Sequence, residues 1–190
     1  MRPVRAVLVI LSAFSCVASA QPARATDNCP DLEGKDAAAH LEYLRGDRSK
    51  LKPECAAAAM RYLGAKRFSQ ASAVLIQYLD YRTESPGKAP MIPIIYPAVD
   101  ALHSLGKPVV PELVAAVANP DTTEAARQNA AWTIFFIYGL GNPDGIAALV
   151  SAAKAEVDPG ASVRLMDQAR RLAGRCPAES RNDCENAVLK

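Results

Sequence analysis

Apolar residues recur along much of this chain at the spacing of an amphipathic helix. The segment Phe68–Tyr81 shows this most clearly, because one face of it collects the apolar residues Phe68, Ala71, Leu75, Tyr78 and Leu79. No segment shows a convincing alternation of apolar and polar residues, the pattern of a half-buried strand. The apolar stretch Ile92–Tyr96 contains Pro93 and precedes Pro97, and proline disfavours a strand inside a sheet. The pattern therefore predicts an all-α fold.

The predicted helices follow one another along most of the chain. A polar, proline-bearing stretch, Thr83–Pro90, interrupts the series, and a helix ending near Leu105 follows it. The bounds of the other predicted helices are Asp36–Leu44, Pro53–Leu63, Phe68–Tyr81, Pro108–Val117, Thr123–Tyr138, Pro143–Val157 and Ser162–Ala173.

Four glycines lie just past predicted helix ends and also mark an internal repeat. They are Gly64, Gly106, Gly141 and Gly174, which are 42, 35 and 33 residues apart. A glycine in this position adopts a left-handed backbone at the least cost, so each is expected to end its helix. The first two close the matching hexapeptides Ala59–Gly64 and Ala101–Gly106, which share the pattern A-[LM]-x-x-L-G, and the later copies are looser.

A second repeated element lies between these glycines. Asp121 precedes Arg127 by six residues, and Asp158 precedes Arg164 by six residues, with small residues following in both copies. The two copies are 37 residues apart. A period of this size with two helices per unit is typical of a solenoid of helical hairpins.

The segment Leu105–Trp132 resembles a HEAT repeat of the short bacterial kind. Units of that family pair a helix that opens on proline with an Asp-bearing turn and a second helix that carries Arg and then small residues. The resemblance covers roughly residues 97–174. It implies an armadillo-type, right-handed α-solenoid of about four hairpins over residues 35–190. It also implies that the two Asp–Arg pairs are structural, bridging helix turns, and that the second helices line a concave face.

The first twenty residues have the pattern of a cleavable export signal. Arg2 and Arg5 precede the apolar stretch Ala6–Val17, and the small residues Ala18-Ser19-Ala20 favour cleavage before Gln21. We expect residues 1–20 to be removed and residues 21–34 to be a flexible segment. The alternatives are an uncleaved anchor, for which the apolar stretch is short, and a lipoprotein modified at Cys16.

Cleavage changes the charge of the protein. The whole chain has 22 basic and 20 acidic residues, and loss of Arg2 and Arg5 leaves 20 of each. A formally neutral chain has no bulk attraction to nucleic acid or to anionic lipid. We expect neither a nucleic-acid partner nor stable membrane insertion after cleavage, and we expect a monomer located in the periplasm or secreted.

Four cysteines remain after cleavage, two near each end of the chain. An even number of cysteines in an exported protein indicates disulfides, and four allow three pairings. Proximity in sequence favours Cys29 with Cys55 and Cys176 with Cys184. A metal site is the alternative, but no C-x-x-C spacing exists and the chain has two histidines.

The chain carries no recognisable catalytic motif. It has no G-x-S-x-G, no H-E-x-x-H and no glycine-rich phosphate loop. His103 is expected near the exposed end of a second helix as a polar surface residue, and a ligand or general-base role for it or for His40 is the enzyme alternative. We therefore expect a protein that is not an enzyme and that uses no cofactor.

The aromatic residues concentrate in one predicted helix. Trp132, Phe135, Phe136 and Tyr138 cover more than one of its faces, which predicts a helix buried in the middle of the fold. Alternatively, Trp132 or Tyr138 reaches the concave surface as a binding anchor. Arg170, Arg171 and Arg175 form a small basic cluster, expected to be a solvated helix face.

The resemblance places a candidate binding surface on the second helices. Its candidate contact residues are Arg61, Asp100, His103, Gln128, Tyr138, Asp167 and Arg171, and Trp132 is added to them as a candidate anchor alongside Tyr138. We expect an exported scaffold that holds a protein or peptide partner of the cell envelope on its concave face. The alternative is a secreted or periplasmic inhibitor, or immunity-type protein, that blocks an envelope enzyme through Thr83–Pro90.

Overall fold

The computed structural model describes residues 29–83 and 92–189, and this part of the chain is helical, without a strand. Single turns of 3-10 helix occur at Arg48–Lys50, Ser69–Ala71 and Lys107–Val109. The α-helices of the described residues are α1 (Ala37–Arg45), α2 (Pro53–Ala65), α3 (Ser72–Gln77), α4 (Ile92–Ile95), α5 (Pro97–Leu105), α6 (Val110–Ala118), α7 (Glu124–Tyr138), α8 (Asp144–Ala155), α9 (Pro159–Ala173) and α10 (Arg181–Leu189).

The all-α prediction is confirmed for the described residues, with local differences in bounds. Helix α9 begins three residues earlier than predicted, because the Asp158 carboxylate accepts hydrogen bonds from the backbone N–H groups of Gly160 and Ala161. Proline at its first position suits a helix start. The predicted helix Phe68–Tyr81 is shorter and opens with a 3-10 turn. Helix α10 was not predicted, since only Cys184 and Ala187 of it are buried.

The helices pack in pairs that follow one another along the chain. Helix α1 contacts α2, α3 contacts α5, α6 contacts α7, and α8 contacts α9. Contacts also join α2 to α5, α5 to α7, and α7 to α9, so these four helices form a continuous row, here called the second-helix row. Helix α10 packs on both α8 and α9 at the end of the described chain.

Helix α7 lies at the centre of the core, as its aromatic content predicts. Ile134 and Phe135 are completely buried, and Phe135 is among the largest fully buried side chains. Residues on other elements are buried equally, including Leu102 on α5 and Leu113 on α6. Trp132 and Phe136 are only partly buried against this core, which leaves one edge of α7 at the surface.

The prediction that four glycines end their helices holds only in part. Gly106 follows α5 with a φ of 78°, as predicted. Gly64 lies inside α2 instead, where the backbone of α5 passes close by. Gly141 has a φ of 82°, but α7 ends at Tyr138 and its C-cap is Gly139. Gly174 follows α9 with an ordinary φ of −66°.

Both predicted disulfides are present, Cys29–Cys55 and Cys176–Cys184. The first joins the segment before α1 to α2, and buries Cys29 and Leu32 in the core. Part of the segment expected to be flexible is therefore packed, while residues 21–28 and the predicted signal lie outside the described residues. Disulfides indicate an oxidising, extracytoplasmic compartment. None of the described helices has the length and apolar character needed to cross a bilayer.

One buried hydrogen bond links two distant parts of the core. The Asn129 amide, on α7, donates to the backbone carbonyl of Leu79 across 2.7 Å, and both residues are buried. Asn129→Ala leaves that carbonyl without its donor, so we expect the free energy of unfolding to fall by about 1–2 kcal/mol. Urea unfolding would measure the loss, with Gln128→Ala as the neighbouring control, expected within about 0.5 kcal/mol of wild type. Equal midpoints for the two variants would contradict the role of Asn129.

Candidate functional site

A cleft between α7 and α9 brings together residues from two members of the second-helix row. Its volume is about 310 Å³, and we call it the α7–α9 cleft. Helix α9 contributes Gln168, Arg171 and Leu172, whose spacing of i, i+3 and i+4 places them on one helix face, and Arg175 lies two residues beyond the end of α9. The residues that line it are Gln128, Trp132, Gln168, Arg171, Leu172 and Arg175.

Trp132 forms the aromatic wall of this cleft. Its ring stacks on Phe136, with centroids 5.5 Å apart, and meets Phe135 edge-on at 5.8 Å. Phe136 in turn lies 6.3 Å from the His103 ring on α5. The three side chains Trp132, Phe136 and His103 thus form a strip, here called the aromatic strip, that runs from the cleft towards α5.

Gln168 is the most deeply buried polar side chain that lines the cleft. Only 3% of its surface is exposed. Its amide is not an enclosed polar group without a partner, because His40 Nε2 is the only side-chain atom of that kind among the described residues. Because Gln168 also lines the cleft, its amide is available to a bound group.

The charges around the cleft are unevenly neutralised. Glu124, in the first turn of α7, accepts hydrogen bonds from Arg171 at 2.9 Å and from Gln128 at 2.8 Å. The Gln128 amide, and then Arg127 and Arg171, hold the pKa of Glu124 below its usual value, while desolvation opposes them. Arg175 forms no ion pair with any described residue. The cleft therefore carries one guanidinium without a counter-charge.

The predicted contact residues divide between the cleft, the rest of the row and other surfaces. Gln128, Trp132 and Arg171 line the cleft. Arg61, on α2, and His103, on α5, are exposed farther along the second-helix row, and half-buried Asp100 lies one turn before His103.

Two predicted contact residues lie away from the cleft. Tyr138, at the end of α7, has the Lys107 ammonium 5.1 Å above its ring. Asp167 pairs with Arg170 at 3.3 Å, so the predicted basic cluster is split between two faces of α9. Gln168 was not among the predicted contact residues, because a polar residue in a helix gives no sequence signal of burial by itself. The i, i+3 spacing of Gln168 and Arg171 could have indicated that they share a helix face.

The two Asp–Arg elements differ in the structure. Asp158 caps α9 and pairs with Arg164 at 3.3 Å, and Arg164 also donates to the Ala118 carbonyl at the end of α6. This pair therefore bridges neighbouring helical pairs, as the resemblance implied.

The earlier element lacks the corresponding pair. Arg127 donates to the carbonyls of Val117 and Thr122 and pairs with Glu124 at 2.8 Å, rather than with Asp121. The cap of α7 is Thr123, because Asp121 lies too far before the first helical residue to reach the free N–H groups. The expected Asp121–Arg127 bridge is therefore wrong in its partner, although Arg127 remains structural.

Two larger depressions lie elsewhere on the surface of the described residues. One, of about 620 Å³, lies between α8 and α10 and includes Asp144, Lys154 and Asp183 in its lining. The other, of about 590 Å³, lies between α3 and α6. Asp80 in the second one already pairs with Arg48 at 2.8 Å. Neither contains an aromatic side chain, whereas the α7–α9 cleft combines an aromatic wall with cationic donors.

His40 is a buried histidine outside all three depressions. Its ring stacks on Tyr62 with centroids 3.9 Å apart, and its Nδ1 donates to the Asp36 carbonyl across 2.7 Å. The other nitrogen, Nε2, has no hydrogen-bond partner among the described residues. Within the same part of the chain, no group of three or more His, Cys, Asp or Glu side chains is arranged to hold a metal ion.

These features define an all-α protein with two disulfides and a polar-aromatic cleft. Comparison with models of known protein families, with curated proteins and with solved structures gives no match for this chain.

Proposed function

We propose that this chain is an exported, HEAT-like binding protein, a right-handed α-solenoid of about four hairpins. The second-helix row holds a protein or peptide partner of the cell envelope on its concave face. The consecutive pairing of helices and the unbroken contacts along α2, α5, α7 and α9 support a solenoid. The two disulfides support export to the periplasm or the outside of the cell.

The observation that carries this proposal is the continuity of the α7–α9 cleft with the aromatic strip. Aromatic and arginine side chains dominate the energetics of protein interfaces, because they combine apolar area with hydrogen-bonding groups. Here both kinds lie on one row of helices, from His103 on α5 to Arg175 beyond α9. An extended partner can contact both regions at once.

Site-specific photo-crosslinking tests the proposal. A photoreactive amino acid at position 103 or 61, on the second-helix row, is expected to give a discrete crosslinked product with an envelope fraction. The matched control is position 42 on α1, where Glu42 is also an exposed helical residue. A purified partner should then bind His103→Ala at least about tenfold more weakly than it binds Glu42→Ala. Products of equal yield at positions 42 and 103, or none at 103 and 61, would contradict the proposed surface.

The inhibitor alternative concerns Thr83–Pro90. Apart from Thr83, which is held to the Ile95 carbonyl by its N–H and its hydroxyl, that segment lies outside the described residues.

A further inference from the structure

We propose that the α7–α9 cleft binds a carboxylate of the partner peptide, with Arg175 and Gln168 as hydrogen-bond donors and Trp132 as the apolar wall. This inference rests on the proposed function, since it assigns the chemistry that the partner presents to one part of the second-helix row. The carboxylate is either an Asp or Glu side chain or the C-terminus of the peptide.

The donors in the cleft favour an anionic acceptor. A guanidinium has five N–H donors and no acceptor, and a carboxylate accepts through two oxygens without donating. Exposed Arg175 lines the cleft together with Gln168, a residue that is 3% exposed and whose amide is not among the enclosed polar atoms without a partner. A carboxylate between them would accept from both, and hydrogen bonds to charged groups are the stronger kind.

The charges around the cleft also favour an anionic ligand. Arg171 is already paired with Glu124, but through one of its terminal nitrogens, so other donors of its guanidinium remain. Arg175 has no counter-charge among the described residues. Placing an anion here neutralises a positive charge, whereas a cation would meet repulsion from both arginines.

Size and surroundings restrict the ligand further. A volume of about 310 Å³ is at the lower end for small-molecule pockets, and it suits a single side chain or chain terminus. The aromatic strip continues from Trp132 to Phe136 and His103, so the neighbouring peptide residue finds an apolar surface. The predicted recognition element is an acidic group beside an aromatic or large aliphatic residue.

Three peptide pools distinguish the two sources of the carboxylate. All have randomised, uncharged flanks around a fixed Phe. The first carries Phe-Glu with an amidated C-terminus, the second carries Phe-Gln with an amidated C-terminus, and the third carries Phe-Gln with a free C-terminal carboxylate one residue later. Because the chain contains one tryptophan, its emission reports directly on the cleft. Calorimetry on the full disulfide-bonded protein gives the affinities.

We expect the first or the third pool to bind at least about tenfold more tightly than the second and to change the Trp132 emission. Tighter binding of the first pool identifies a side-chain carboxylate as the ligand, and tighter binding of the third pool identifies a C-terminal carboxylate. Raising the salt concentration should reduce this preference, since screening weakens partly exposed charge pairs.

Two matched arginine variants test whether Arg175 causes the preference for a carboxylate. Arg175→Gln should remove most of the preference for the carboxylate. Arg170→Gln makes the same charge change five residues earlier, at an arginine of α9 that pairs with Asp167 and does not line the cleft, so it should retain the preference. Glu124→Gln removes the carboxylate that occupies Arg171, so it should strengthen binding of the acidic pool. A misfolded variant would not bind the acidic pool more tightly, so such a gain in affinity cannot result from misfolding.

Several results would overturn the inference. Equal affinity for all three pools, or an equal loss in Arg170→Gln and Arg175→Gln, would show that the cleft does not select a carboxylate, while peptide binding itself would still support the proposed function. No binding of any pool would also overturn it. Combined with an absence of crosslinks at positions 103 and 61, that result would reject the proposed function as well.

Discussion

Replacing Gly64 with alanine is expected to lower the free energy of unfolding by about 2–3 kcal/mol. Gly64 faces α5, and a Cβ there would lie 2.5 Å from the Ala101 Cα and 3.0 Å from the Ala101 Cβ. The nearest atom belongs to the backbone, so a change of side-chain rotamer cannot relieve the contact. Helix α5 would have to move as a whole, against its packing on α3 and α7. The higher helix propensity of alanine offsets only about 1 kcal/mol of this cost.

Gly174→Ala is the matched control. Gly174 has a φ of −66°, and the nearest atoms to an added Cβ are 3.7 Å away, an ordinary contact. The same substitution there is expected to be neutral or to stabilise by about 0.4–1 kcal/mol, because it restricts the unfolded chain. Urea unfolding of both variants measures the difference. Ala101→Gly should not rescue Gly64→Ala, since the Ala101 Cα remains in place. Tolerance of Gly64→Ala at the level of Gly174→Ala would contradict the close approach of α2 and α5.

The contrast between these glycines shows which structural features a sequence repeat predicts and which it does not. Gly64, Gly106 and Gly174 occupy corresponding places in the repeat, yet Gly64 permits a close helix contact, Gly106 has a φ of 78°, and Gly174 has an ordinary backbone. The period predicts where one helical unit gives way to the next. It does not specify which physical requirement glycine meets there, because that depends on the neighbouring helix.

Helix identity was predictable from the sequence because apolar spacing and alanine content both favour helix. The central position of α7 followed from aromatics on more than one of its faces, and Phe135 and Ile134 are indeed completely buried. Helix α10 was not predicted, because its apolar content is low. Its attachment depends on the Cys176–Cys184 disulfide and on contacts with α8 and α9.

Helix position was enough to group some of the candidate contact residues, whose role in partner binding stays a prediction. Gln128, Trp132 and Arg171 were placed on second helices and do line one cleft. Gln168 was missed, because its burial results from the packing of α9 on α7 and leaves no mark in the local sequence. Likewise, a shared Asp-to-Arg spacing did not reveal that α7 is capped by Thr123, whereas α9 is capped by its aspartate.

Removal of the Cys29–Cys55 disulfide, by replacing both cysteines with alanine, is expected to cost about 3–4 kcal/mol of unfolding free energy. This bridge spans 26 residues, so the entropy it removes from the unfolded chain exceeds that of the Cys176–Cys184 bridge, which spans 8 residues. It also keeps the segment before α1 packed, with Leu32 3% exposed against the core. Without the bridge, that segment is attached through its side-chain contacts and the start of α1 alone.

The corresponding double variant at Cys176 and Cys184 is expected to lose about 2–3 kcal/mol, because its loop is shorter. Urea unfolding of the wild type and both double variants measures the order of the two losses, and wild type in a thiol reductant should approach the sum of them if the two ends are independent. Proteolysis adds a local readout, since loss of Cys29–Cys55 should open cleavage sites before α1 while the α7–α9 cleft keeps its Trp132 emission. An equal or larger loss of unfolding free energy in the Cys176–Cys184 variant would contradict this order. It would show that the entropy of the unfolded chain does not determine which bridge stabilises more. The contacts of α10 with α8 and α9 would then contribute more than the longer bridge at the other end.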